Sequence, residues 1–121
     1  MSEYQFDRIS SGTTYKSKTD SHTIYTTINN DEDGNIFEIF VKLDDPDQFE
    51  IIQMVGMLTS ALFKAGVEPI KIAESLKKVY SPITKHIIPK TSTMCPSIVA
   101  RVGYILEQHI KNTKSKEKDN E

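Results

Sequence analysis

The sequence predicts an α+β fold, a three-stranded antiparallel β-meander followed by three helices, oligomeric through the helix at 49–65. Three observations predict it. Residues 13–43 are rich in Thr, Tyr and Ile and are punctuated by turn residues, the composition of pleated strands. From Phe49 onward the apolar residues recur at helical spacing instead. Proline and glycine then cut that second half into three pieces, at Asp45-Pro46, at Gly66 with Pro69, and between Pro82 and Pro96.

The strands come first. "TTYKSKT" and "HTIYTTINN" are joined by a short turn in which Asp20 and Ser21 can bond their own backbone. Asp33-Gly34 is a hairpin signal ahead of "NIFEIFVKL", where Phe37, Ile39, Val41 and Leu43 alternate to give one buried face. Phe40 falls on the opposite face and needs a second cover. In the first helix, Asp45 is placed to cap and Pro46 to occupy the first helical position. Its body, Phe49 to Ala65, is apolar nearly all round, so it must be covered on more than one side. In so small a domain another subunit is the expected cover. Gly66 ends that helix. The second starts at Pro69, carries Ile72, Ala73, Leu76 and Val79 on its inner stripe, and stops before Ser81-Pro82. The last begins near Pro96, with Ile98, Val102, Ile105, Leu106 and His109 on one face. The expected organisation is an N-terminal segment at 1–10, one domain at 11–110, and a disordered charged tail at 111–121.

Composition narrows the function. A chain of 121 residues supports one modest core. No window is apolar enough to span a membrane and the N-terminus shows no signal-peptide core, so a cytoplasmic protein is expected, in the host cell if a phage encodes it. One cysteine rules out an internal disulfide framework and a cysteine zinc cage. The three histidines, His22, His86 and His109, have no ligand-like spacing, and no metal or cofactor is expected. A net charge of −2 argues against DNA or RNA as the partner. Between residues 71 and 101, however, Lys71, Lys77, Lys78, Lys85, Lys90 and Arg101 face Glu74 alone, which suits a small anion.

The candidate site follows from that bias. The loop "YSPITKHIIPKTSTM" is long for a helix connection, and long loops in compact domains are often functional. Tyr80 can stack on a base, while Ser81, Thr84, Thr93 and Ser97 carry hydroxyls and His86 and Lys90 carry nitrogen donors. The loop delivers the chain to a helix N-terminus, where free N–H groups favour an anion. Arg101, just inside that helix, either snorkels to solvent or grips a phosphate bidentately. Cys95 reads either as a small apolar residue at the helix mouth or as a thiol nucleophile with His86 as base. Thr13, Thr14, Lys16, Lys18 and Tyr25 read more simply as an exposed sheet face. No catalytic constellation is evident.

Three stretches, "SGTTYKSKTDSHTIYTTINNDEDGNIFEIFVKL", "LTSALFKAGVEPIKIAESLKKVYSP" and "CPSIVARVGYIL", together resemble the TSCPD domain. That domain occurs as a C-terminal module of vitamin B12-dependent ribonucleotide reductases and as a free-standing small protein. The name-giving motif departs here: Thr93-Met94-Cys95-Pro96-Ser97 keeps Thr, Cys and Pro and loses Ser and Asp. The chain lacks the reductase barrel and cobalamin site, so the resemblance implies at most an accessory role in ribonucleotide reduction. Free-standing chains of this pattern are similar to the phage anti-Thoeris sponges, which bind a cyclic ADP-ribose-type immune signal without cleaving it. That resemblance implies a homo-oligomer, with nucleotide pockets at its subunit borders.

Overall fold

The computed structural model describes residues 11–19, 22–81, 86–88 and 93–119. Strands β1 (Ser11–Lys18), β2 (Thr23–Asn30) and β3 (Ile36–Leu43) form an antiparallel sheet in the order β1-β2-β3. Helices α1 (Phe49–Lys64), α2 (Pro69–Lys77) and α3 (Ile98–Asp119) follow, which is the expected α+β order. Among the described residues, no helix is long and apolar enough to cross a membrane.

Local chemistry explains the joints. In the β2–β3 turn the Asp31 carboxylate accepts the N–H groups of Asp33 and Asn35, both at 2.9 Å, and Gly34 takes the positive φ of 82° that the turn requires. The Asp20 and Ser21 of the first turn lie outside the described residues. Asp45 caps a turn rather than the helix itself: its carboxylate accepts the Asp47 N–H at 3.0 Å, Pro46 sits inside that turn, and α1 starts only at Phe49. At the other end of α1, Gly66 (φ 93°) lets Gly66 N–H reach the Phe63 carbonyl and Val67 N–H reach the Leu62 carbonyl, a Schellman stop.

The core lies between the inner sheet face and the helices. Ile24, Ile28, Ile39, Val41 and Leu43 come from the sheet, Ile52 and Phe63 from α1, Ile72 and Ala73 from α2, and Ile98, Val102, Ile105 and Leu106 from α3. Each of the larger side chains, Ala73 excepted, contributes roughly 1.5–3 kcal/mol by leaving water. Helix α1 does not lie across the sheet face but along the free edge of β3. Gly56 sits so close that an added Cβ would stand 3.3 Å from the Ile39 carbonyl and 3.4 Å from the Val41 nitrogen. One turn on, the Ser60 hydroxyl accepts the Ile39 N–H at 2.9 Å and donates to the Ile39 carbonyl at 3.0 Å. The edge strand is thereby covered and cannot recruit another strand at that point.

Several expectations need correction. The 80–97 connection is not an irregular loop. It contains a hairpin of β4 (His86–Ile88) and β5 (Thr93–Cys95), paired in register from His86↔Cys95 to Ile88↔Thr93. Short β-branched runs interrupted by Pro89 hide such strands from a periodicity reading. Val79 lies beyond the end of α2 and is exposed, because the helix stops at Lys77. Phe37 is only half-buried; the β2–β3 register slips at Asn29/Asn30 and breaks the alternation. Helix α3 is described to Asp119. Its Lys and Glu residues are good helix formers, and Lys111 lies 3.6 Å from Glu107 one turn back. Phe40, on the outer sheet face, is 55% exposed among the described residues.

Candidate functional site

Ser97 organises the strand-to-helix joint. Its hydroxyl accepts the Ala100 N–H at 2.9 Å, capping α3, and donates to the Val79 carbonyl at 2.6 Å. Ser81 N–H bonds the Pro96 carbonyl at 2.9 Å, tying the chain after α2 to the same joint. The Cys95 thiol is buried and donates to the Ser97 carbonyl at 3.2 Å; burial pushes its pKa up, with the Ser97 hydrogen bond and then Arg101 opposing only in part. A thiol so placed holds little thiolate at neutral pH. Tyr80 is exposed at 71%. His86 and Thr93 are described by their strand pairing alone, and Thr84 and Lys90 lie outside the described residues. Among the described residues there is no cluster of three His, Cys, Asp or Glu side chains able to hold a metal.

Arg101 turns away from that joint. It lies one turn into α3, and its guanidinium Nε donates to the Ser17 hydroxyl on β1 at 2.7 Å. No carboxylate among the described residues lies within ion-pair distance of it. The arginine thereby lines a cleft of about 350 Å³ between β1 and α3, with Tyr15, Lys16 and Ser17 on one wall. The other wall is a helical stripe, Arg101, Tyr104, Ile105 and Gln108, recurring at i, i+3, i+4 and i+7. At 1.5 Å per residue it runs about 10 Å from Arg101 to Gln108.

Both walls are held rigidly. Glu107, also in the cleft, is bound by Lys77 of α2 at 2.6 Å, and Lys77 lies 5.0 Å from the centre of the Tyr104 ring. The ammonium beside it holds the Glu107 carboxyl below its ordinary range, and the carboxylate holds Lys77 above its own. Beneath the β1 wall, the Tyr15 hydroxyl meets His109 Nδ1 at 2.7 Å and His109 Nε2 meets Asn30 Oδ1 at 2.9 Å. Asn30 Nδ2 donates to the Gly34 carbonyl at 3.0 Å, which leaves Oδ1 facing the ring. Nε2 is then the protonated nitrogen, and Nδ1 accepts from Tyr15. Burial pushes the Tyr15 phenol above its usual pKa, against smaller opposing effects of hydrogen bonds with Asn112 and Thr13.

Of the site residues expected from sequence, then, Arg101 reaches a cleft, while Ser97 and Cys95 are engaged in the joint and Ser81 is tied to it through its N–H. The β1 wall was read as plain sheet face, and Tyr104 and Gln108 were not singled out. Only the spacing of Tyr104 and Gln108 from Arg101 on one helix face signals them in the sequence.

The fold is that of a small α+β domain with an arginine-lined cleft between its outer strand and its longest helix. The chain belongs to the TSCPD domain family, whose pattern matches residues 3–110, most of its length. No curated protein and no solved structure is significantly similar to it.

Proposed function

We propose that this protein is a non-enzymatic nucleotide-binding protein that holds a phosphate-bearing ligand, of the cyclic ADP-ribose or cyclic nucleotide type, in the β1–α3 cleft. In a phage setting such sequestration of a host immune signal would blunt host defence. Arg101 carries the reading. It is held by Ser17 through Nε, which leaves its terminal N–H groups to an incoming anion. Tyr15 and Tyr104 offer ring surface to a base or ribose. Lys16 borders the cleft, with its ammonium 5.9 Å from the centre of the Tyr25 ring. The Cys95 thiol, the nucleophile weighed from the sequence, is buried with its pKa pushed up, and tight ground-state binding needs no such group.

A hydrogen bond to a charged group contributes about 1.5–3 kcal/mol net. Arg101→Ala should therefore weaken binding of cyclic ADP-ribose on the order of 10- to 100-fold in a calorimetric titration. Arg101→Lys should recover only part of this, because an ammonium lacks the fork. Equal affinities for all three proteins would move the site elsewhere. Ligand released by denaturation should be chemically intact; a converted product would make the protein an enzyme. No uptake at all would favour the accessory role in ribonucleotide reduction.

A further inference from the structure

Helix α1 uses one side to cover β3 and leaves the other to solvent. Ile51, Met54, Met57, Leu58 and Leu62 are all exposed, Met57 by 66%. At 100° per residue they occupy a continuous arc opposite Gly56 and Ser60, interrupted only by Glu50. Beside this arc runs an apolar groove of about 350 Å³ between α1 and α2, floored by Val55, Val67, Ile72 and Leu76. Phe40, on the outer sheet face and near Gly56, is exposed as well. A contiguous apolar surface of this extent is rarely left uncovered in a monomer.

The spacing identifies what covers it. Ile51, Val55, Leu58 and Leu62 follow one another at intervals of four, three and four, the seam of a coiled-coil pair. The set is also symmetric about the midpoint between Gly56 and Met57. An antiparallel copy of the same helix therefore sets Ile51 against the partner's Leu62 and Val55 against the partner's Leu58. Charge agrees with that direction. The start of α1 is acidic, with Asp45, Asp47 and Glu50, while Lys64 ends it and Lys71 edges the groove. Antiparallel pairing brings the acidic end of one copy to the basic end of the other, whereas parallel pairing stacks like charges. We propose that α1 pairs antiparallel, across a twofold axis, with α1 of a second copy of this chain. This goes beyond the ligand reading and does not depend on it.

Light scattering on the full chain at micromolar concentration should give the mass of two chains or an even multiple. Leu58→Glu should halve it with an unchanged circular dichroism spectrum. Orientation is read in a Cys95→Ser background by mixing an Ile51→Cys chain with a Leu62→Cys chain under oxidation. Cross-linking between the two, in preference to Ile51→Cys with itself, is the expected result. A monomeric mass, an assembly indifferent to Leu58→Glu when folded, or dominant 51-to-51 cross-linking would overturn the proposal.

Discussion

Thr26 lies on the inner face of the central strand, paired with Tyr15 on one side and Val41 on the other. It is fully buried, and its hydroxyl has no hydrogen-bond partner among the described residues. A buried hydroxyl left unpaired costs about 1–3 kcal/mol. Valine has nearly the same shape without that oxygen, so Thr26→Val should raise stability by on the order of 1 kcal/mol in a urea titration. A loss would mean that the hydroxyl has a partner. Single residues were the least legible part of the sequence for the same reason: a hydroxyl's role depends on what lies across the fold. Ser97, expected from sequence to meet a ligand, caps α3. It stands where the family motif has Asp, and both residue types make good caps, so the helix start survives the departure from the motif. Arg101 was expected either to snorkel or to grip a phosphate, and its side chain is held by β1. Its partner, Ser17, is 84 residues away in sequence, and no local pattern announces it.

Elements were more legible than their partners. The apolar period set α1, α2 and most of α3, and Gly66 set the stop of α1, because those signals are local. The β4–β5 hairpin was missed, since three-residue strands are too short to show a period. How α2 grips α3 was also invisible. It rests on Gly103, where a Cβ would come within 2.8 Å of the Lys77 nitrogen, and on the Lys77–Glu107 pair. That pair has a pH signature. Glu107 titrates lower folded than unfolded, so its contribution is present above the ordinary carboxylate range, near pH 4.3, and is lost as pH falls through the lowered value. Lys77 titrates higher folded than unfolded, so its contribution is present below about pH 10.4 and is lost only as pH rises through the raised value. Glu107→Gln should therefore be less stable than wild type at pH 7, and the gap should close as both are acidified below the carboxylate range. A gap of constant size from pH 7 to pH 3 would assign the loss to packing rather than charge.

The whole molecule is joined by a tie that crosses most of the chain's length. Tyr15 on β1, Asn30 on β2 and His109 on α3 form one hydrogen-bonded line, and Asn30 extends it to the β2–β3 turn at Gly34. The sequence placed His109 on the inner stripe of its helix, where it is indeed buried. It could not show that the ring sits edge-on to Tyr15, with centroids 5.7 Å apart. Because the line fixes the tilt of α3 against β1, it also fixes the width of the cleft between them. His109→Leu keeps the bulk and removes both ring nitrogens, leaving Asn30 Oδ1 buried without this donor. The expected loss is about 1–3 kcal/mol, seen as a lower urea midpoint at unchanged slope. Packing alone could produce the same loss, so the double variant decides. Tyr15→Phe removes the other end of the shared bond, and residues joined in one network do not add. Tyr15→Phe with His109→Leu should therefore cost clearly less than the two single losses together. Strict additivity would show that the ring merely fills space and that the tie carries no energy of its own.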